Sequence, residues 1–201
     1  MRARLSGGPP EPVLKARLYG DPQCARSPAT LCAFAESGED DKQLTFTAFD
    51  PLSGRGRELI RFDIDHTADL EYIWDLSPDG TRIAVLKYSA ANIRVFPVNG
   101  KPPQEIFAKG WKSLASIHWA PDGKGFFVSG TADGGSALLH LDLQGNARVL
   151  WKQKGSTAPW NVPLAHHWGP SAPWAVPSPD GRHLAIYNWN FSGNIWMMEN
   201  F

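Results

Sequence analysis

The sequence predicts an all-β protein built of about four repeated, four-stranded antiparallel units. Three observations support this prediction. Glycine and proline together make up 36 of the 201 residues, which disfavours long helices. A turn motif, in which a small residue is followed by Pro-Asp-Gly, recurs along the chain. Two strand-like patterns recur in step with that motif, so the fold class follows from a repeat and does not depend on any single motif.

The turn motif occurs three times in full and once in degraded form. Proline presets φ at the second turn position, aspartate can accept hydrogen bonds from nearby amides, and glycine takes the left-handed conformation that closes a hairpin. The aspartates of the full copies therefore share one structural explanation, and we assign them no catalytic role. The copies are Ser77-Pro78-Asp79-Gly80, Ala120-Pro121-Asp122-Gly123, Ser178-Pro179-Asp180-Gly181 and the degraded Arg26-Ser27-Pro28-Ala29-Thr30.

Strand-like segments surround these turns. Residues 82–88 and 183–187 each follow a turn and are nearly continuous in apolar character, which predicts strands covered on both faces. A further strand is predicted at each of the segments 44–49, 92–96, 137–141 and 194–198. The last strand of each unit contains one of the equivalent residues Val13, Leu59, Ile106 and Val149, which are 46, 47 and 43 residues apart.

One interval of the repeat is too long. Pro121 and Pro179 are 58 residues apart, whereas the preceding turn prolines are 50 and 43 residues apart. The segment 158–163 recurs, with small changes, as 172–177, fourteen residues later. Removing these fourteen residues leaves 44, in step with the other units. We therefore expect the intervening residues 164–171 to lie outside the packed sheets.

A period in the low to mid forties with four strands per unit is typical of β-propeller blades. The strand, Ser-Pro-Asp-Gly, strand units, which end in Gly193-Asn194-Ile195-Trp196-Met197-Met198, resemble those of the TolB-type, WD-repeat-like β-propellers of bacteria. The resemblance covers almost the whole chain. It implies a β-propeller, either a closed small ring or part of a larger propeller, and says little about a ligand.

The repeat also predicts blade boundaries. In this register the chain opens with a fourth strand at 12–14 and closes after a third strand at 195–198. These two segments would pair in a closed four-bladed ring; alternatively, the chain is the carboxy-terminal piece of a longer propeller. We favour the longer propeller, because TolB-type propellers generally have more blades and Met1 falls inside a repeat. The predicted units are an outer strand in 1–18 and blades at 19–64, 65–110, 111–154 and 155–201, the last with a duplicated loop at 158–177.

Charge and hydropathy argue against several function classes. The chain has 20 basic and 20 acidic side chains and no basic stripe, so we do not expect it to contact nucleic acid. No stretch approaches the roughly 18 consecutive apolar residues of a membrane span. Residues 1–10 lack the apolar run of a signal peptide. The compartment stays open.

Motifs for catalysis are not found in the sequence. It contains no Gly-x-Ser-x-Gly elbow and no kinase catalytic loop. Gly123-Lys124-Gly125 lacks the spacing of a phosphate-binding loop, and Asp133-Gly134-Gly135 is predicted to be a turn. We therefore predict no catalytic, cofactor-binding or metal-binding residue and no cofactor.

Some side chains are weaker candidates for a site. The pair His166 and His167 suggests a metal, but neighbours on an extended strand point to opposite sides. We interpret the acidic segment at Asp63, Asp65 and His66 as a solvated connection between blades. Aromatic side chains fall into two groups: Trp160 and Trp168 could stack on a sugar or peptide, and packing between blades accounts for Trp74, Trp119, Trp174 and Trp196.

The two cysteines, Cys24 and Cys32, flank the degraded turn. Their separation fits facing strands of one hairpin. A buried pair of free thiols is the default expectation, and a disulfide is the alternative.

A non-enzymatic binding or sensory module is the function that these features favour, with a protein or peptide bound on a propeller face. The family resemblance implies that such modules often follow a serine/threonine kinase domain or a winged helix-turn-helix regulator in a larger bacterial protein. One alternative is a propeller accessory to a prolyl-oligopeptidase-like peptidase, with the catalytic machinery in a separate domain. Another is a truncated gene product without independent function.

Overall fold

The structure is a computed structural model that describes residues 7–38, 42–64, 72–88, 90–132, 135–154 and 174–187. The described part is all-β and contains no helix. Its strands are β1 (Gln23–Cys24), β2 (Cys32–Ser37), β3 (Gln43–Asp50), β4 (Gly54–Asp63), β5 (Tyr72–Leu76), β6 (Arg82–Lys87), β7 (Asn92–Pro97), β8 (Gln104–Phe107), β9 (Ser113–Trp119), β10 (Gly125–Ala132), β11 (Gly135–Asp142), β12 (Ala147–Lys154), β13 (Trp174–Pro177) and β14 (Leu184–Tyr187).

The strands form successive antiparallel sheets. The first sheet contains β1 to β4, the second β5 to β8 and the third β9 to β12, and each strand pairs with the next one along the chain. In the fourth sheet the described strands are β13 and β14. This arrangement confirms an all-β, propeller-like fold with strands close to the predicted bounds.

The Pro-Asp-Gly motifs form the turns between the first and second strands of three sheets, as predicted. Gly80, Gly123 and Gly181 have φ angles of 69°, 66° and 71°. Residues with a Cβ rarely adopt these left-handed angles, so glycine is needed at this position of the turn. The aspartate side chain completes each turn by accepting a backbone amide two residues later, as Asp122 does from Lys124 at 3.0 Å. The structural role predicted for these aspartates is confirmed.

Apolar layers lie between neighbouring sheets. Along β6, the side chains of Ile83 and Val85 pack toward the first sheet, whereas those of Ala84 and Leu86 pack toward the third. This alternation follows from the two-residue period of a strand. All four residues are buried, so β6 is covered on both faces as its sequence predicts. Burying each large aliphatic side chain contributes roughly 1.5–3 kcal/mol.

Strand β14 differs from the prediction. Ile186 is 49% exposed and Tyr187 is 43% exposed, so this strand is not covered on both faces. The described part of the fourth sheet offers β14 one neighbour, β13, and the third strand predicted at 194–198 lies outside the described residues. The predicted loop at 164–171 also lies outside them.

The segment 12–14 is not assigned as a strand, but Glu11, immediately before it, forms a β-bridge. The predicted partner of the segment, at 195–198, lies outside the described residues. The segment lies beside the first sheet, because a Cβ on Gly54 would come within 2.8 Å of the Val13 carbonyl oxygen. Gly145 meets the carbonyl of Phe107, the last residue of β8, in the same way, so the segment takes the position that an outer strand takes against the next sheet.

The cysteines form a disulfide, so the expectation of free thiols is wrong. Cys24 on β1 lies directly opposite Cys32 on β2 in the antiparallel register. Directly opposed residues place their side chains on the same face of a sheet, close enough to bond. The prediction that the two residues face each other within one hairpin is confirmed.

Neighbouring turns also touch. A Cβ on Gly80 would lie 3.1 Å from the Cβ of Ala25 and 3.2 Å from that of Leu31, both next to the first turn. A Cβ on Gly181 would lie 3.4 Å from the ring of Pro121 in the third turn. Each of these glycines thus combines a left-handed backbone with close packing on the preceding sheet.

This packing predicts that substitution by alanine lowers the free energy of unfolding by different amounts at two glycines with a left-handed backbone. Gly80→Ala and Gly100→Ala both place a Cβ on a left-handed backbone, with φ angles of 69° and 80°, but Gly100 has open space around it. Both variants should lose about 1–2 kcal/mol of unfolding free energy from backbone strain. Gly80→Ala should lose about 1 kcal/mol more from overpacking. Urea unfolding of the two variants measures the difference, and equal losses would contradict the turn-to-turn contact.

Candidate functional site

The first strands of the four sheets bring four side chains together. In the described part of the chain β1 packs on β5, β5 on β9, and β9 on β13. One side chain from each sheet belongs to a connected group: Arg26 lies in the first turn, Asp75 and His118 lie one residue from the turn ends of β5 and β9, and Trp174 is the first residue of β13, at the end away from its turn. We call these side chains the central cluster: Arg26, Asp75, His118 and Trp174.

Asp75 links the second and third sheets. Its Oδ2 accepts the backbone N–H of Trp119 at 2.6 Å, and the Trp119 indole Nε1 donates to the Asp75 carbonyl oxygen at 3.1 Å. Asp75 is only 8% exposed. Burial raises the pKa of its carboxyl to about 7, although the Trp119 N–H and the charge of Arg26 act in the opposite direction. The carboxyl therefore titrates near neutral pH.

His118 links the third and fourth sheets. The indole Nε1 of Trp174 donates to His118 Nε2 at 2.6 Å, and the two rings lie 5.4 Å apart. A nitrogen that accepts a hydrogen bond carries no proton, so the neutral ring is protonated on Nδ1. Burial, assisted by the charge of Arg26, lowers the pKa of His118 to about 4. Nδ1 lies 3.7 Å from Asp75 Oδ2, and with His118 uncharged this approach is no ion pair at neutral pH.

Arg26 links the first sheet to two others. Its backbone N–H donates to the carbonyl of Pro78 at 2.9 Å. Its guanidinium Nη1 donates to the carbonyl of Pro179, 153 residues away in sequence, at 3.2 Å. The second contact joins the first and fourth sheets. It favours the small ring over the open arc of a longer propeller, because the two end sheets of an open arc would stand apart.

A second arginine joins neighbouring turns. Arg82 Nη2 donates to the Gly123 carbonyl at 2.9 Å, and its guanidinium lies 4.5 Å from the centre of the Trp119 ring. Stacking of a guanidinium on an indole adds an attraction of roughly 0.5–2 kcal/mol to the hydrogen bond. The turns of the second and third sheets are therefore held together by a charged side chain, as are those of the first and fourth.

In the central cluster the ionisable side chains form hydrogen bonds that join neighbouring sheets; we call this a bracing role. The hydrogen-bonding nitrogen of His118 is engaged by Trp174, and the Asp75 carboxyl by Trp119. In the described part of the chain no hydroxyl or thiol donates to His118, so the pairing of a nucleophile with its base is not formed there. Trp174 stays 37% exposed, which leaves part of its aromatic surface open to solvent.

Nowhere in the described ranges do three side chains of the metal-binding types come together. Over those ranges, too, no helix has the length and hydropathy needed to cross a bilayer.

Several sequence-predicted residues have a clear outcome. Trp74 and Trp119 are buried between sheets, which confirms their packing role. Trp174 also contacts the neighbouring sheet, through His118, although it stays partly exposed. Asp63 accepts a hydrogen bond from Gln43 at 2.8 Å across β3 and β4. Other candidates lie outside the described residues: Asp65, His66, Asp133, Gly134, Trp160, His166, His167, Trp168 and Trp196.

Sequence reasoning missed Arg26, Asp75 and His118. A usable signal was present, since Asp75 and His118 each stand three residues before a turn proline, in a first strand that is otherwise largely apolar. A polar residue at the same repeat position in two successive units indicates a shared location. The partner of each residue comes from another sheet, and the repeat pattern does not reveal it.

The raised pKa of Asp75 predicts a pH-dependent stability difference. The folded state holds this proton more tightly than the unfolded chain, so the stabilisation is complete below about pH 4 and is lost as the pH rises to about 7. The side-chain amide of the variant Asp75→Asn does not titrate, and its oxygen could still accept the Trp119 N–H.

The free energy of unfolding of the wild type, minus that of Asp75→Asn, should therefore fall by a few kcal/mol, as an order of magnitude, between pH 4 and pH 7. It should then level off. Urea unfolding of both proteins across this range makes the measurement, and a constant difference would contradict the burial of an ionisable Asp75.

The contact between Trp174 and His118 predicts a second titration effect. Burial and the charge of Arg26 lower the pKa of His118, and the Trp174 N–H, which can bond only to an unprotonated Nε2, should lower it further. In Trp174→Phe the ring remains but the donor is lost, so this pKa should rise by roughly one pH unit. Nuclear magnetic resonance titration of His118 makes the measurement, with Trp151→Phe as the control. An unchanged titration curve would mean that the hydrogen bond is absent in solution.

Comparisons with known proteins support the fold. The chain matches no protein-family model, and no curated protein matches it in sequence. A solved structure of a prolyl endopeptidase is similar, with 16% identity and a TM-score of 0.55 over 85% of this chain and 27% of that one. A putative 6-phosphogluconolactonase from Bacteroides uniformis has 16% identity and a TM-score of 0.49, over 92% of this chain and 56% of that one.

An acylaminoacyl peptidase from Pyrococcus horikoshii has 15% identity and a TM-score of 0.41, over 70% of this chain and 25% of that one. The chain thus spans well under two thirds of the length of each of these proteins. At such low identity the likeness concerns the fold alone, and the prolyl endopeptidase is the structure that supports it.

Proposed function

We propose that the chain is a non-catalytic β-propeller module that binds a protein or peptide at the exposed ring of Trp174, beside the central cluster. The observation that carries this proposal is the central cluster, in which the acid–base groups are used to join sheets while the Trp174 ring stays partly open. The TolB-type resemblance of the repeats agrees with a binding module. It also suggests that the module belongs to a larger bacterial signalling or regulatory protein, next to a kinase or winged helix-turn-helix domain.

The state of His118 argues against acid–base catalysis at the cluster. A general base needs a free lone pair within reach of the substrate proton. The lone pair of Nε2 is taken by Trp174, and Nδ1 carries the ring proton and points toward Asp75. A pKa near 4 also leaves His118 a weak base at neutral pH. These features fit a structural contact better than a reacting one.

The exposure of Trp174 argues for binding. Tryptophan is enriched among the residues that dominate binding energy, because its large ring is rigid and combines an apolar face with one polar hydrogen. Here the ring is fixed by its bond to His118, so it loses little conformational entropy when a ligand packs on it.

A second candidate function is a propeller that accompanies a peptidase domain. The likeness to a prolyl endopeptidase favours it, since that structure has the highest TM-score of the three described above, 0.55. In this case the catalytic residues would belong to a separate hydrolase domain, and the turn end would contact that domain or a peptide on its way to it. The central cluster would keep its bracing role under either candidate.

An array of synthetic twelve-residue peptides of varied sequence tests the first proposal. The labelled wild-type chain is compared with Trp174→Ala and with the control Leu52→Ser, which changes a 73% exposed side chain in the outer turn between β3 and β4. Peptides bound by the wild type should also bind Leu52→Ser, and they should bind Trp174→Ala at least about tenfold more weakly.

Three results would contradict the proposal: no peptide is bound, binding survives in Trp174→Ala, or the chain alone cleaves the bound peptides. The last result would show catalysis in this chain. Absence of binding by the chain alone, followed by binding once a hydrolase domain is joined to it, would favour the second candidate.

A further inference from the structure

The inner strand of the first sheet is unusually short. Strand β1 has two residues, whereas the equivalent strands β5 and β9 have five and seven. Its pairing with β2 consists of Gln23 opposite Ala33 and Cys24 opposite Cys32. Before β1, the chain touches β2 again through an isolated bridge between Leu18 and Glu36 and a hydrogen bond from the Tyr19 amide to the Ala35 carbonyl at 2.7 Å. So short a ladder supplies few backbone hydrogen bonds, and a strand held in this way would fray easily.

The disulfide compensates for this short ladder. It joins the last residue of β1 to the first residue of β2. The turn between them has hydrogen bonds from the Ala25 amide to the Leu31 carbonyl at 2.8 Å and from the Ala29 amide to the Arg26 carbonyl at 2.9 Å. A cross-link here restricts the unfolded hairpin and keeps β1 in the sheet. Arg26 follows Cys24 by two residues, so the same cross-link fixes the position of Arg26.

Arg26 carries the effect of this cross-link to other sheets. Its guanidinium provides a hydrogen bond from the first sheet to the fourth, at the Pro179 carbonyl. Its charge also lies close enough to Asp75 and His118 to lower the pKa of both groups. A change in the position of Arg26 would therefore be felt at the fourth sheet and within the central cluster.

We propose that the Cys24–Cys32 disulfide is a redox-sensitive cross-link, called the latch below, that keeps the first turn in contact with the fourth sheet. Its reduction by a dithiol frees the first turn, releases Arg26 from the Pro179 carbonyl and loosens the fourth sheet. This modification site is independent of the proposed ligand binding, because the latch acts between parts of the chain and is measured without any ligand.

The exposure of the two cysteines sets the course of the reaction. Cys24 is exposed and Cys32 is buried. A thiolate of the dithiol attacks the sulfur of Cys24, and Cys32 leaves as a thiolate that takes up a proton. The second thiol of the reductant then closes its own disulfide and releases Cys24 as a thiol. In total two electrons and two protons pass to the protein, and the dithiol is oxidised.

Hydrogen exchange of the purified full chain tests the latch. The oxidised chain is compared with the chain treated with dithiothreitol under native conditions, and alkylation followed by mass measurement confirms the state of the two cysteines. Reduction should speed amide exchange by about tenfold or more in residues 24–36 and also in residues 174–187. Exchange in residues 113–154 of the third sheet should change little.

The variant Arg26→Gln provides the matched control. Without the guanidinium the hydrogen bond between the first and fourth sheets is already absent, so reduction should still speed exchange in residues 24–36 but add nothing in residues 174–187. The titration of His118 gives an independent readout. In the wild type its pKa should rise on reduction, because the charge of Arg26 moves away, and in Arg26→Gln it should not respond.

Several results would overturn the latch. The purified chain could contain free thiols, or the disulfide could resist the dithiol under native conditions. Reduction could speed exchange in residues 24–36 alone, which would mean that the disulfide stabilises only its own hairpin. Equal acceleration in the third sheet would indicate general unfolding. An undiminished effect on residues 174–187 in Arg26→Gln would show that Arg26 does not transmit the change.

Discussion

Contact between successive turns is the constraint on which the rest of this fold depends. Each sheet is an antiparallel meander that forms locally, but no strand ladder joins one described sheet to the next. The sheets are held in order by apolar layers and by the turns, which touch through a crowded glycine at Gly80, through Arg82 and through Arg26. The Pro-Asp-Gly motif thus shapes the hairpin and also places its glycine where the neighbouring sheet can approach.

The central cluster shows how buried polar groups can take the place of a missing ladder. An unpaired carboxyl or imidazole in this position would cost several kcal/mol of desolvation. The backbone N–H of Trp119 and the indole N–H of Trp174 satisfy Asp75 and His118, and burial shifts the pKa of each group toward its neutral form. The bond to His118 leaves the ring of Trp174 fixed in place and partly open, as the proposed binding role requires.

The repeat made the local structure predictable and left the contacts between sheets hidden. Turn residues and strand periodicity act over a few positions, so the hairpins at Gly80, Gly123 and Gly181 followed from the sequence. The disulfide depends on strand register. The cluster depends on contacts between residues 44 to 153 positions apart, such as that of Arg26 with the Pro179 carbonyl.

The central claim is that the first and fourth sheets meet at the turns. The most direct test is the distance distribution between two spin labels introduced through unnatural amino acids at Thr30 and Arg182, which are both exposed and leave the disulfide intact. The account predicts one short, narrow distance that does not change with protein concentration. A long or broad distribution would show that the four sheets form an open arc, and would contradict the central cluster as described.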